Sequence, residues 1–226
     1  MSLNLRALVP ATVKHRIRSA QRSYTLKRCI AQLRPQVEPS DDLLRRLIWA
    51  WGNEGFSGDV SYLRAVCREA MQTAGPILEC GSGLSTLLLA VYAGKRGVSV
   101  LSLEQMPEWQ AAISSALQRL GLMSQVVMTP LKRYDGFDWY DIPQNLPKNV
   151  KLVICDGPPG ETFGGRSGLL PVCRKLLADD CMILLDDAER VEEQKIIGSW
   201  AKQHGVEVLP NQIPSRRYAT LRLKSL

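Results

Sequence analysis

Apolar residues along this chain fall into two rhythms, and from Ile77 onward the two alternate. Short apolar runs bounded by Gly, Pro or acidic residues predict strands over 77–80, 99–103, 125–128, 150–156, 181–185, 206–209 and 218–223. Between them, apolar positions three and four apart predict helices over 84–90, 108–120, 167–177 and 188–204, with a loop over 129–149. Strands alternating with helices form a parallel sheet covered on both faces. The last two strands are joined by residues 210–217, too short for a crossover helix, so they are expected to pair antiparallel at an edge. The fold class that follows is α/β: seven strands, mostly parallel, closed by an antiparallel terminal hairpin.

The segment before Ile77 reads as helical. Ser40 caps a helix from Asp41 that carries Leu43, Leu44, Leu47 and Ile48 and stops at Trp51-Gly52-Asn53. A further helix over 59–71 places Tyr62, Leu63, Val66 and Cys67 on one face. Between the two, WAWGNEGFSG (49–58) mixes aromatics, glycines and amides; it suits a loop that closes over a ligand, or a surface loop anchored by two core tryptophans. Residues 1–40 read as a helical arm, in which Val13, Ile17, Ala20 and Tyr24, then Leu26, Ile30 and Leu33, recur at helical spacing until Pro35 and Pro39. No repeat or second domain is visible, so residues 41–226 read as one domain.

Charge changes this picture in one place. The net +7 gathers in residues 1–34, which hold eight Lys or Arg and no acid, while the rest of the chain is close to neutral. Affinity for polyanions therefore belongs to the arm, and nucleic acid becomes the least favoured partner. A basic amphipathic helix can cover the main domain, meet a second copy, or lie peripherally on an anionic membrane surface. Its Arg-rich, acid-free composition also resembles an organellar transit peptide. No apolar run reaches the ~20 residues of a membrane span. The six cysteines form no C-x-x-C pair, and Cys80, Cys155 and Cys181 sit in strand-like runs, as small buried hydrophobes do in a reducing, cytoplasmic compartment. Two histidines, His15 and His204, leave little for a histidine metal site or a Ser-His-Asp triad.

The stretch ILECGSGLST (77–86) carries the first chemistry. A buried strand runs into a glycine turn and then a helix, whose free N–H groups face a ligand of nucleotide type. The dinucleotide fingerprint would place its third glycine at Thr86, which is neither Gly nor Ala. Glu104 ends the next strand, 21 residues beyond Gly83, where a carboxylate can accept hydrogens from the hydroxyls of a ribose. Further on, Asp156 closes a strand in VICDGPPG, and Asp186-Asp187 close the next in MILLDDAER. Ligands of open α/β sheets lie beyond the carboxyl ends of the strands, so three carboxylates converge there. Such oxygen ligands suit a hard cation such as Mg²⁺, which would lower a hydroxyl's pKa. The alternative keeps Asp156 functional and leaves Asp186 and Asp187 as caps of the following helix.

Glu79-Cys80-Gly81-Ser82-Gly83, with Thr86 in place of a third glycine, resembles the E/D-x-G-x-G motif of class I S-adenosylmethionine-dependent methyltransferases, over roughly residues 56–226. The resemblance implies a Rossmann-like fold. It implies cofactor contacts from Glu79, Cys80, Gly81, Ser82 and Gly83, from Ser85 and Thr86 at the helix start, and from Glu104 and Gln105. The three aspartates are similar in placement to those of the metal-dependent O-methyltransferases of the catechol and macrolide-sugar types. That likeness implies metal ligation by Asp156, Asp186 and Asp187, with Asp156 catalytic and a small-molecule or glycan hydroxyl as acceptor. One departure is plain: the catechol type has a lysine base three residues after its first Asp, and Pro159 stands here. Lys132 and Arg166 are weak substitutes, better read as solvated or substrate-orienting charges.

Three other readings share parts of this pattern. Pro158-Pro159 resembles the D/N-P-P-Y/F motif of base amino-methyltransferases, but Gly157 interrupts it and Gly160 replaces the stacking aromatic. A nicotinamide oxidoreductase would need a small residue at Thr86 and a proton donor that is not visible. A non-catalytic protein of the same fold would use only the arm. Neither residues 49–58 nor the aromatic YDGFDWY (134–140) separates a sugar from a phenol, because an aromatic wall suits both.

Overall fold

The computed structural model describes residues 11–53, 55–211, 215 and 217–224. Seven strands form the central sheet: β1 (Ile77–Cys80), β2 (Val100–Glu104), β3 (Gln125–Met128), β6 (Val150–Cys155), β7 (Leu177–Asp186), β8 (Val206–Leu209) and β9 (Tyr218–Leu223). Their order is β3-β2-β1-β6-β7-β9-β8; β9 runs antiparallel to β7 and to β8, and the other pairs are parallel. The edge hairpin expected from the short 210–217 connection is thus present.

Period-two alternation decides which side chains meet which layer. Ile77, Leu152, Ile154 and Leu184 face a core built with α2 (Asp41–Trp51), α3 (Val60–Gln72), α4 (Leu84–Tyr92) and α5 (Pro107–Leu120). Leu78, Cys80, Val153, Cys155, Ile183 and Leu185 face the opposite core, closed by α6 (Leu169–Cys173) and α7 (Val191–Gln203). Helix α4 is buried on every side, and each such Leu contributes roughly 1.5–3 kcal/mol. Helix α1 (Ala11–Gln32) buries Leu26, Cys29 and Ile30, followed by Leu33, against the first core, while Ile17 and Tyr24 on its other face stay exposed. All six cysteines are buried and free. Among the described residues, no helix is long and apolar enough to cross a membrane.

Three expectations need correction. The stretch 129–149 is not one loop: β4 (Leu131–Tyr134) and β5 (Phe137–Tyr140) form an antiparallel hairpin around Asp135-Gly136. The helix expected over 167–177 shrinks to α6 and a 3₁₀ turn, because Leu177 pairs with Val150 and draws the chain into β7 early. Helix α7 starts at Val191, not Ala188: Asp187 takes a left-handed φ of 57°, and the Ala188 N–H donates to the Arg217 carbonyl across the sheet end.

Candidate active site

At the carboxyl ends of β1, β2, β6 and β7 lies a cleft of about 500 Å³, and the turn after each strand contributes to its wall. Gly81 and Ser82 follow β1, Glu104 ends β2 with Gln105 after it, Asp156 and Gly157 follow β6, and Asp186 ends β7 with Asp187 after it. Trp109 and the loop at 55–58 complete one side; Phe56 there is 84% exposed.

The glycine turn is held from behind. Gly81 has φ +82°, and a Cβ there would come 3.0 Å from the backbone of Gly157, so the turns after β1 and β6 meet where only glycine fits. The Gly83 N–H donates to Thr86 Oγ1 (2.9 Å), whose hydroxyl donates to Glu79 Oε2 (2.7 Å). Ser102 also donates to Glu79. Glu79 is fully buried, and burial pushes its carboxyl up to about 7, against hydrogen bonds from Ser102, Ser85 and Thr86. Glu79, Cys80, Ser85 and Thr86 therefore stand behind the cleft wall, where they fix the turn, while Gly81 and Ser82 face the ligand space.

A pH signature follows. With its folded pKa above the ordinary 4.5, Glu79 keeps its proton in the native state after the unfolded chain has lost it. The Glu79 contribution to native stability should therefore fall as pH rises from about 4.5 to about 7, by no more than about 3 kcal/mol, and level off above. Denaturant unfolding of Glu79→Gln should show a smaller loss between about pH 5 and pH 8 than wild type; parallel curves would refute the assignment.

Glu104, 2% exposed, ties the turns after β1 and β2 together. Its Oε2 accepts the Ser82 N–H (3.1 Å) and hydroxyl (2.7 Å), and its Oε1 accepts the Met106 N–H (2.9 Å). The Trp109 indole N–H donates to the Ser82 carbonyl at 2.5 Å, and Trp51 packs edge-on against Trp109 at 5.8 Å. The side-chain oxygen of Gln105 is buried with no hydrogen-bond partner among the described residues, an acceptor left over on the cleft wall.

Asp156, Asp186 and Asp187 each place one carboxylate oxygen within 4.8 Å of the others. Burial pushes Asp156 up to about 7, with the Arg166 guanidinium opposing, and pushes Asp186 up to about 8, with Asp156 and Asp187 adding. Arg166 is the residue whose role the sequence did not reveal. It is 2% exposed, not a solvated charge. Its Nη2 donates to Asp187 Oδ2 (2.8 Å), Asp156 Oδ1 (3.2 Å) and the Asp156 carbonyl (3.0 Å), and its Nη1 to the Asp186 carbonyl (2.5 Å). Buried Glu193 of α7 lies 4.0 Å from the same Nη1, and Arg190 reaches Asp187 Oδ1 at 2.9 Å. One guanidinium thus clamps the ends of β6 and β7. Lys132 sits on the β4–β5 hairpin near Asp141 (3.5 Å), away from the cleft. Trp139 and Tyr140 are fully buried in the second core, so the aromatic wall of the cleft is Trp109 with Phe56 and not the 134–140 segment.

Solved structures give the geometry its place. The SAH-bound methyltransferase PaMTH1 of Podospora anserina superposes with a TM-score of 0.54 at 15% identity, over 96% of this chain and 89% of that one. The chain has the class I methyltransferase fold. An O-methyltransferase of Bacillus cereus in complex with SAH matches with a TM-score of 0.54 at 16% identity, over 82% of this chain and 92% of its own. A ribosomal protein L11 methylase of Lactobacillus delbrueckii subsp. bulgaricus matches with a TM-score of 0.53 at 15% identity, over 77% and 81%. At these identities the methyltransferase fold is what is shared, and its carriers include enzymes of unlike substrates. No protein-family model matches the sequence, and no curated protein matches it.

Proposed function

We propose that this protein is an S-adenosylmethionine-dependent methyltransferase that acts on a hydroxyl of a small molecule or sugar, with Mg²⁺ assistance. The observation that carries the reading is the single cleft joining the glycine turn and Glu104 to the three-aspartate cluster.

The residues fit the cofactor. Glu104 has used three hydrogen bonds of a carboxylate's capacity of about four, and a turn of the Ser82 hydroxyl frees another, so it can receive a ribose. The orphaned Gln105 oxygen offers an acceptor to an adenine amino group. Gly81 and Ser82 leave room beside the turn for the methionine end. When bound, S-adenosylmethionine supplies a methyl group on a positively charged sulfur.

The residues also fit a divalent cation. Three carboxylates stand against one buried guanidinium; burial raises Asp156 and Asp186, and the neighbouring carboxylates add to the rise. Asp156, Asp186 and Asp187 would hold the ion, which when bound lowers the pKa of an acceptor hydroxyl. With Pro159 in place of a lysine, Asp156 is the group we assign to accept the hydroxyl proton, because it faces the cleft. Trp109 and Phe56 would cover the acceptor from water.

A metal-free variant of the same chemistry has one observation in its favour: Arg166 already bridges Asp156 and Asp187. The two separate cleanly. Turnover that EDTA abolishes and Mg²⁺ restores, with Asp186→Asn lowering kcat by at least about 100-fold, is the expected outcome. EDTA-insensitive turnover with an active Asp186→Asn would leave the metal-free enzyme.

A further inference from the structure

Helix α1 turns two faces to two different surroundings. Its inner face carries Leu26, Cys29 and Ile30 into the first core. On the outer face Ile17, Ala20, Tyr24 and Ala31 recur at spacings of three, four and seven residues, which traces one line along a helix. All four are exposed, Ile17 at 50% and Tyr24 at 63%. Cations border that line on both sides, with Arg16 and Lys27 along one edge and Lys14 and Arg28 along the other, all of them exposed. Arg28 reaches the line itself: its guanidinium lies 5.8 Å from the Tyr24 ring centre, and its Nη1 donates to the Tyr24 hydroxyl (3.4 Å). The whole helix holds six Lys or Arg and no Asp or Glu.

A helix that only covers its own domain gains nothing from apolar residues aligned on the face turned to water. Apolar residues between two rows of cations are what a helix presents when it lies in the plane of a lipid headgroup layer. The apolar line enters the acyl boundary, and the long basic side chains reach the phosphates beside it. We infer that the outer face of α1 docks the protein peripherally on a membrane surface that contains anionic lipid. Charge complementarity selects this occupant. A second copy would set six cations of one α1 against six of another, with no acid on either helix to answer them. RNA would meet the cations but leave the apolar line unused. The inference stands independently of the chemistry assigned to the cleft.

The test uses the full chain. Cosedimentation is measured with phosphatidylcholine vesicles with and without phosphatidylglycerol, alongside binding of a homopolymeric RNA and sedimentation of the protein alone over a range of concentrations. Binding to the phosphatidylglycerol vesicles that falls with added salt is expected, with little binding to phosphatidylcholine alone. The Ile17→Ser, Tyr24→Ser double variant, which keeps every charge, should bind those vesicles at least about tenfold more weakly. The Arg16→Gln, Lys27→Gln double variant, which keeps the apolar line, should lose at least about tenfold as well. All four side chains are exposed, so both variants should keep the wild-type unfolding curve. Absence of vesicle binding by the wild type, vesicle binding indifferent to both double variants, binding of RNA alone, or self-association through this face in place of vesicle binding would overturn the inference.

Discussion

Replacing Arg166 by Met is expected to cost about 3–5 kcal/mol of stability, the range for removing one partner from a buried ionic network. The arginine is 2% exposed, so solvent cannot screen what its loss uncovers. Asp156, Asp186 and Asp187 would then face one another with only the half-exposed Arg190 beside Asp187, and Glu193 would lose its nearby cation. The carbonyls of Asp156 and Asp186 would lose their donors as well. Because the uncovered carboxyls are harder to ionise in the folded state, the deficit should grow as pH rises through about 7 to 8. Urea unfolding of Arg166→Met and wild type at two pH values on either side of that window measures this directly. Arg166→Lys, which keeps the charge but cannot bridge both strand ends, should fall between them. A loss below about 1 kcal/mol would mean that the clamp is not what holds the cluster.

Glu104→Ala should weaken cofactor binding by at least about 100-fold while the sheet remains folded. Hydrogen bonds to a charged group contribute about 1.5–3 kcal/mol each, and two ribose hydroxyls would meet this carboxylate. The same change also releases the Ser82 and Met106 N–H groups, which loosens the turns on both sides of the cofactor. Glu104→Asp, too short to span both turns, should recover only part. Calorimetric titration with S-adenosylhomocysteine gives the affinities; unchanged binding in Glu104→Ala would remove the ribose assignment.

What the sequence made legible is what the backbone period controls. The alternation of Ile77 with Leu78, and of Leu152 and Ile154 with Val153 and Cys155, places each residue in its core because a strand has only two faces. The convergence of Asp156, Asp186 and Asp187 was legible for the same reason, as parallel strands all end at one edge. The β4–β5 hairpin was missed although its signal was present: Asp135-Gly136 between alternating apolar residues is a hairpin turn, and Gly136 takes φ +85°. Arg166 left no such trace, since a lone arginine in a glycine-rich loop reads as solvated until the fold carries it beneath two strand ends. Glu79 is intermediate. Its place in the motif was visible, but its work behind the turn depends on Ser102, a neighbour brought alongside by the pairing of β1 with β2.

The central claim is that the cleft takes S-adenosylmethionine. Calorimetric titration of the wild-type chain with S-adenosylmethionine, and separately with NADH, tests it most directly. Saturable binding at one site, with a dissociation constant in the ~1 μM to 1 mM range usual for enzyme substrates, and no heat from NADH, is the expected result. No binding of S-adenosylmethionine across that range, or tighter binding of NADH, would contradict the account.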